Sequence, residues 1–586
     1  MKKLLLLLLF SSLSAFPTGR LNLNIAVVNY DPVMENLPGS PRLHQATHWT
    51  DPTKMARDHV EWWNQASHGM VQCHIVAITN LNAWPAKSDG FRYTDESYWA
   101  IYTNGWKGGH KPDQFNYSTP FTEDVPWLLP MIENGQVDQV WMYTFPYSGS
   151  FETRMMGPGA YSCNSDGSAE LGNSRLFMIN FPSMERADTP MENFGHGCES
   201  VLAAWFWNSL LNYPGEVDTP YAKINDFALF TRAEANDPGN AHCGNVHFAP
   251  NSAGGYDWAN SNYALSYADS WFSYPLLTNA PRLMNNAEWG MGVNHLHKNW
   301  WFQHMPQKVG LHNGHLMNWL TYYLNLNNAS YPIGSDSPIV QTNVDLAGWF
   351  SFELFVPPGS TQVTFNVDSG RPVEFGLRKN ALPLFNRFNW WGANNAAFDF
   401  WQTNRSAAHT ITLSSSQNFN QGLTGYWYCS FGRAFDKPEK RPVDSASSYT
   451  VSAEILPKPA AIANVSVEVS APAPNATVSG PVVPISWSPT SLPCGVRAFY
   501  LAYSANAEKG PWIDICEDYH YQLNSPYQWS VPAVTSDCAR VRVIVEDVYG
   551  DRYTGYSAPF GLNTPCAPKP AGLLARIFAL FGFSVR

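Results

Sequence analysis

The pattern of apolar and polar positions divides the chain into stretches of different texture. In the first, short apolar runs alternate with segments of helical spacing. "LNIAVVNY" is a nearly unbroken apolar run of strand length. Pro52 to Ser67 places Met55, His59, Trp62 and Trp63 on one helical face, and "MVQCHIVAI" returns to strand. A right-handed crossover would make these two strands parallel neighbours. The alternation continues with a helix from Thr122 to Asn134, the strands "QVWMYTF" and "RLFMINF" (Arg175 to Phe181), and a helix from Met191 to Trp207. The expectation is an α/β domain over residues 16–335.

From Gln341 the period changes to two. "GWFSFELFVPPGSTQVTFNV" alternates around a "PPGS" turn, and "GYWYCSF" and "SYTVSAEI" close the run, predicting an all-β sandwich over 341–455. "LPKPAAIA" (456–463) reads as a Pro- and Ala-rich linker. Beyond it, short strands with turn signals at sandwich spacing predict a second β domain over 464–562, with Trp487, Trp512, Trp529 and Tyr500 in or near its core. An apolar tail, 563–586, follows. The fold class expected is therefore multidomain, an α/β domain followed by two all-β sandwiches that fold apart from it.

Chemistry concentrates in the first stretch. Fourteen of the sixteen histidines lie between His44 and His315, so imidazole chemistry belongs there. In "MENFGHGCESVLAAWFW", Glu192, His196 and Glu199 stand at i, i+4 and i+7, one row on a helix, while Val201, Leu202, Ala204 and Trp205 give it an apolar face. Such a row of carboxylates and imidazole suits a metal ion, Zn²⁺ above all. His247 in the Gly-, Asn- and Pro-flanked "HCGNVHFAPN" is the preferred distal ligand, and His304 in "NHLHKNWWFQHMPQ" a further candidate. Glu152, in a stretch read as a structured loop ("SGSFETRMMGPGAYSCNSDG"), is a candidate catalytic carboxylate beside Glu199.

"MKKLLLLLLFSSLSA" has two lysines, an apolar run and small residues near Ala15, the pattern of a secretory signal peptide over 1–15. A secreted or cell-surface location is the expectation. No later stretch has the ~18 continuous apolar residues a spanning helix needs. A net charge of −11 argues against nucleic acid as partner. Nine cysteines in an exported chain permit disulfides, with Cys494, Cys516, Cys538 and Cys566 the cluster most suited to staple the last β domain.

Laid on "ENFGH", the zincin motif H-E-x-x-H puts Glu192 at the first His, Asn193 at the general base, Gly195 at the usual small residue and His196 at the second His. A twisted sheet whose last strand leads into a metal-binding helix is the element order of zincin-type metallopeptidases, and residues 21–328 resemble them, the metzincins especially. The continuation H-x-x-G-x-x-H is missing, and Asn193 cannot take a proton as Glu does. His196 and Glu199 also match the H-x-x-E of zinc carboxypeptidases. The stretch with Trp349, Phe352, "VPPGS", "LTGYWYCSF" and "YTVSAEI" resembles the bacterial pre-peptidase C-terminal domain, and the last β domain resembles a fibronectin type III or immunoglobulin-like module.

The function expected on these grounds is exported, metal-dependent hydrolysis, of peptide bonds first. Glu192, His196 and His247 would hold Zn²⁺, and Glu199 or Glu152 would serve as base. Two alternatives stand beside it. One is a catalytically degenerate binding protein that recognises glycans or cell-surface proteins, with Trp300 or Trp301 as the sensitive position. The other is a glycan hydrolase using Glu152 and Glu199 as its two carboxylates.

Overall fold

The computed structural model describes residues 21–206, 226–278, 280–344, 348–383, 398–402, 406–417, 422–432, 447–458, 465–480, 482–489, 496–507, 510–515 and 525–566. The stretch expected to be a signal peptide (1–15), most of the expected linker and most of the C-terminal tail lie outside them. Residues 20–458 form one compact unit and 459–586 belong to another.

The first unit is built on a five-stranded sheet of β1 (Leu21–Tyr30), β2 (Val71–Leu81), β3 (Gln139–Tyr143), β4 (Thr153–Met156) and β5 (Phe177–Asn180), in the order β2-β1-β3-β5-β4. β1 pairs in parallel with β2 and β3, and β3 with β5; only β4 runs antiparallel. The central strands β3 and β5 are buried at every residue, so their sequences are apolar without alternation. β2, at the edge, alternates and leaves Val76 and Ile78 exposed.

Short and long helices cover this sheet: α1 (Leu43–Thr47), α2 (Pro52–Ala66), α3 (Asp95–Thr103), α4 (Leu128–Glu133), α5 (Pro190–Phe206), α6 (Asp226–Phe230), α7 (Asn294–His304) and α8 (Leu320–Leu324). α2 starts where the sequence says it should, because Asp51 caps it by accepting the Thr53 and Lys54 amide protons at 2.7 and 3.1 Å. The helix expected over 122–134 is only α4, preceded by a separate turn at Pro120–Asp124; Pro126 and Pro130 lack the amide protons a longer helix needs. The stretch around Glu152, read as a loop, contains strand β4, paired with β5 from Thr153↔Asn180 to Met156↔Phe177. α5 is buried nearly all round, and His196, Glu199 and Trp205 are its only residues that are not. Two small hairpins, β6 (Ala264–Ser266) with β7 (Arg282–Met284) and β8 (Gln307–His312) with β9 (His315–Asn318), flank α7 in sequence.

The rest of this unit is a β-sandwich. One sheet holds β10 (Tyr331–Pro332), β12 (Trp349–Val356), β14 (Glu374–Lys379), β15 (Phe400–Gln402) and β17 (Gly425–Gly432). The other holds β11 (Ile339–Val344), β13 (Gln362–Ser369), β16 (Ala408–Ser414) and β18 (Ser447–Leu456). Phe350, Phe352, Phe431 and Tyr449 interlock between them, with ring centroids 4.9–5.9 Å apart. The sandwich does not stand apart from the α/β layer as its period-two pattern implied. β12 is buried on both faces except at Phe355. Ser330 donates to Glu353 on β12 at 3.0 Å, Arg378 on β14 donates to the Ser174 carbonyl at 2.9 Å, and the Asn327 side chain holds both backbone groups of Leu176 at 2.8 and 3.0 Å.

The second unit is also a β-sandwich. β19 (Val467–Ala471), β21 (Val482–Pro489) and β24 (Tyr527–Ser530) form one sheet. β20 (Thr477–Val478), β22 (Val496–Ser504), β23 (Ile513–Asp514), β25 (Ser536–Asp547), β26 (Arg552–Tyr556) and β27 (Phe560–Leu562) form the other. Trp487 and Trp529 are in its core, as expected, with Leu501, Val541 and Val543. No disulfide joins two cysteines among the described residues; Cys494 and Cys516 lie outside them. Among the described residues no helix is long and apolar enough to cross a membrane.

Candidate metal centre

Strand β5 leads through a short connection into α5, and the first two turns of that helix carry Glu192 and His196 on one face. Their spacing alone makes them neighbours. The third participant, His247, comes from the loop after α6, and what holds that loop is Glu199. Its Oε1 accepts the Val246 amide proton at 2.7 Å, which fixes the residue preceding His247 against the helix. Gly195 allows this approach: a Cβ there would lie 2.6 Å from Val246 Cγ2.

Ligand atoms of Glu192, His196 and His247 consequently lie within 4.8 Å of one another. His247 Nε2 is 3.5 Å from Glu192 Oε1, too long for a good hydrogen bond, and this buried nitrogen has no hydrogen-bond partner among the described residues. The two imidazoles meet edge to face at 4.6 Å, and the half-exposed His247 is covered by the ring of Tyr256 at 4.2 Å. Two ligand atoms on one zinc ion stand no more than about 4 Å apart, so a small closure would bring this set to coordination distance. An unpartnered imidazole nitrogen facing a carboxylate is the donor chemistry zinc takes.

The surrounding groups set charge and orientation. Asn294, in the first turn of α7, donates to Glu192 Oε2 at 2.6 Å and leaves Oε1 facing His247. Burial alone would raise the Glu192 carboxyl. The His247 imidazole, the Lys298 charge and the Asn294 amide outweigh it and hold the carboxyl at about 2. Burial likewise works against a charged His196, but Glu199, Glu152 and Glu192 prevail and raise its pKa. Glu199 Oε2 lies 3.5 Å from His196 Nδ1, and Glu152 Oε2 lies 3.4 Å from its Nε2. Glu199 thus orients the ring from one side while Nε2 turns toward Glu152. Glu152, just before β4 and 44% exposed, is the carboxylate open to solvent, and Asn164 donates to it at 2.5 Å.

The sequence-predicted residues therefore divide. Glu192, His196, His247, Glu199 and Glu152 come together; His304 does not. It sits at the far end of α7, with Nδ1 bonded to the Trp300 carbonyl at 2.7 Å and Nε2 3.8 Å from Asp269, because the turn of α7 that faces the site carries Asn294 and Lys298. Glu199, expected as a base, has both oxygens engaged in holding the loop and the ring. Trp300 and Trp301 are buried, and Trp301 donates to the Gly244 carbonyl at 3.0 Å, so neither offers a binding surface. Asn294 and Lys298 carry no signal in the sequence that sets them apart, because α7 holds other polar residues, Asn299 and Gln303, that do not mark the site.

No protein-family model matches the sequence, and no curated protein sequence aligns with it significantly. Solved structures give weak matches. The pre-peptidase C-terminal domain of a collagenase from Bacillus anthracis matches at 8% identity and a TM-score of 0.14, covering 21% of this chain and 94% of that one. Fibronectin(III)-like modules of CbhA from Clostridium thermocellum match at 10% identity and a TM-score of 0.14, covering 40% of this chain and 89% of that one. The glycoside hydrolase domain of Endo-D from Streptococcus pneumoniae R6 matches at 8% identity and a TM-score of 0.19, over 40% of this chain and 33% of that one. What this chain comprises is an α/β layer and two β-sandwiches, one packed on that layer and one in a separate unit.

Proposed function

We propose that the protein is an exported metal-dependent hydrolase acting on peptide bonds, with Glu192, His196 and His247 as the ligands of a zinc ion. The observation that carries this reading is the convergence of His247, from a loop, on the Glu192–His196 row of α5, with Glu199 bonded to that loop and orienting His196. A ligand imidazole whose other nitrogen faces a carboxylate is the usual second shell of a zinc site. With imidazoles neutral, Glu152, Glu192, Glu199 and Lys298 sum to a formal charge of −2, the complement of a divalent cation.

Bound zinc would supply an acidified water and polarise the scissile carbonyl. Glu152 is the group placed to move protons. It is exposed to solvent and lies beside His196 Nε2, where it can accept a proton from the attacking water and return it to the leaving nitrogen. Asn193 occupies the position of a zincin base but is buried and uncharged. Glu192 is held by the Asn294 amide of α7, and the His196 ring is oriented by the Glu199 carboxylate beside its Nδ1.

Support for peptide substrates comes from the strand-to-helix order into "ENFGH" and from the pre-peptidase-type sequence features of the sandwich between Ile339 and Leu456. The last β domain we read as fibronectin III- or Ig-like, and the leader as the signal for export. The two-carboxylate glycan hydrolase is disfavoured because the His196 ring stands between Glu152 and Glu199, in the space a sugar and its water need. A binding protein without catalysis remains the competing class. Metal analysis of the purified mature protein decides between them: about one zinc per chain, lost in His196→Ala together with cleavage of a peptide library, supports the hydrolase. A metal-free wild-type chain inert toward peptides after zinc addition overturns it.

A further inference from the structure

Lys298 stands out among the buried polar groups of the first unit. Its side chain is wholly buried, and its ammonium, 3.6 Å from the centre of the Trp258 ring, has no hydrogen-bond partner among the described residues. An ammonium in that position is costly unless opposite charges repay its lost hydration. Burial outweighs the charges around it and brings the Lys298 ammonium down to about 8; the charges that offset burial are chiefly those of the candidate centre, Glu192 first, then Glu199 and Glu152, with Asp188 after them. None of them is within salt-bridge distance, so the interaction is through space and not a formed pair. The lysine reaches this place by helical geometry. Asn294, one turn earlier on α7, holds Glu192 at 2.6 Å, and Trp258 is pinned by donating to the Gly292 carbonyl at 3.1 Å and accepting from the Trp289 indole at 2.8 Å.

We propose that Lys298 is a resident counter-cation of the Glu192–His196–His247 centre, balancing its carboxylates when no metal is bound and weakening the centre's hold on a divalent cation. The proposal rests on the metal reading of that centre. The direction follows from Coulomb's law: a fixed positive charge near the ligand set repels an incoming dication, and in a buried site the repulsion is poorly screened. Lys298 has no exposed atom for a substrate to meet, so it is a positioning residue acting through Glu192. Its consequence is a centre that stays ordered while empty and exchanges its metal readily.

The test measures zinc affinity of the full mature chain by competition with a chromophoric chelator, alongside melting in chelator and in excess zinc. Lys298→Met and Lys298→Gln remove the charge, and Lys298→Arg keeps it. The neutral variants should bind zinc at least about tenfold more tightly than wild type, with Lys298→Arg close to wild type. They should also melt lower than wild type in chelator and show the larger upward shift on adding zinc. Equal or weaker zinc binding by both neutral variants, at unchanged zinc-bound melting temperature, overturns the proposal. If wild type binds no zinc, the metal reading fails, and melting in chelator still reads the counter-charge. Glu192→Gln with Lys298→Met together should then cost less than the two single losses summed, and simple additivity would refute the coupling.

Discussion

Glu199 bridges Val246 and His196: one oxygen takes the Val246 amide proton at 2.7 Å, and the other lies 3.5 Å from His196 Nδ1. One side chain thereby fixes both the loop that brings His247 and the ring that faces it. Glu199→Ala should lower zinc affinity by about 10 to 100-fold, as loss of an outer-shell partner does. Glu199→Gln keeps an oxygen for Val246 and should lose less. Were Glu199 instead the base, Glu199→Gln would keep zinc and abolish turnover; measuring affinity and kcat on the same variants separates the two.

Glu152 is expected to carry the proton. Glu152→Gln should leave the fold and bound zinc in place, because the residue is 44% exposed and outside the ligand set. Peptide cleavage should fall by about 10² to 10⁴-fold in kcat, the usual contribution of a general base. Cleavage at the wild-type rate by this variant would remove Glu152 from the mechanism.

The close approach of α5 to the His247 loop gives a test by packing alone. In Gly195→Ala the new methyl would lie 2.6 Å from Val246 Cγ2, and a flexible retreat is blocked by the bond from Val246 to Glu199. Overpacking of this kind costs about 1 to 3 kcal/mol, and it should appear as a lower melting temperature together with weaker zinc binding. His304→Ala makes the contrast: it removes a ring packed on Trp300 at 4.1 Å and should cost stability while leaving zinc affinity unchanged.

The ligand row on α5 was legible because helical periodicity alone sets which side chains are neighbours, and Glu192, His196 and Glu199 share a face whatever the tertiary fold. His247 was legible only as a choice among several histidines, since no local pattern tells which loop returns to a helix. His304 stands away from the site for the same reason: the rotation of α7 about its axis, which brings Asn294 to Glu192, is set by packing around Trp289, Trp300 and Trp301. β4 escaped because four residues leave no period to read, and its partner is distant in sequence. The docking of the first sandwich has a signal in the sequence. "WFSFELFV" carries aromatic residues on both faces of the strand, Phe350, Phe352 and Phe355 beside Trp349, which a strand with one solvated face does not need.

Acid and base limbs of stability should differ in origin. The Glu192 carboxyl is held at about 2 in the folded chain, against an ordinary value of 4.5, so its ionised form is favoured by folding. Its contribution is fully present above pH about 4.5 and is lost as pH falls from there toward about 2. One pKa unit corresponds to about 1.4 kcal/mol, so the loss amounts to roughly 3 kcal/mol. His196 has the opposite sign: its pKa is raised above 6.5, so its contribution is present below that pH and fades as pH climbs through the folded value. Zinc competes for the same nitrogen and needs it unprotonated, so zinc affinity should rise over the pH range in which His196 loses its proton. Melting curves of the chelator-treated protein from acid to mild base, repeated for Glu192→Gln and His196→Ala, check all three statements. Glu192→Gln should flatten the acid limb and His196→Ala the neutral one. An acid limb unchanged in Glu192→Gln would mean that the carboxylate is not stabilised by His247, Lys298 and Asn294 in the way their placement requires.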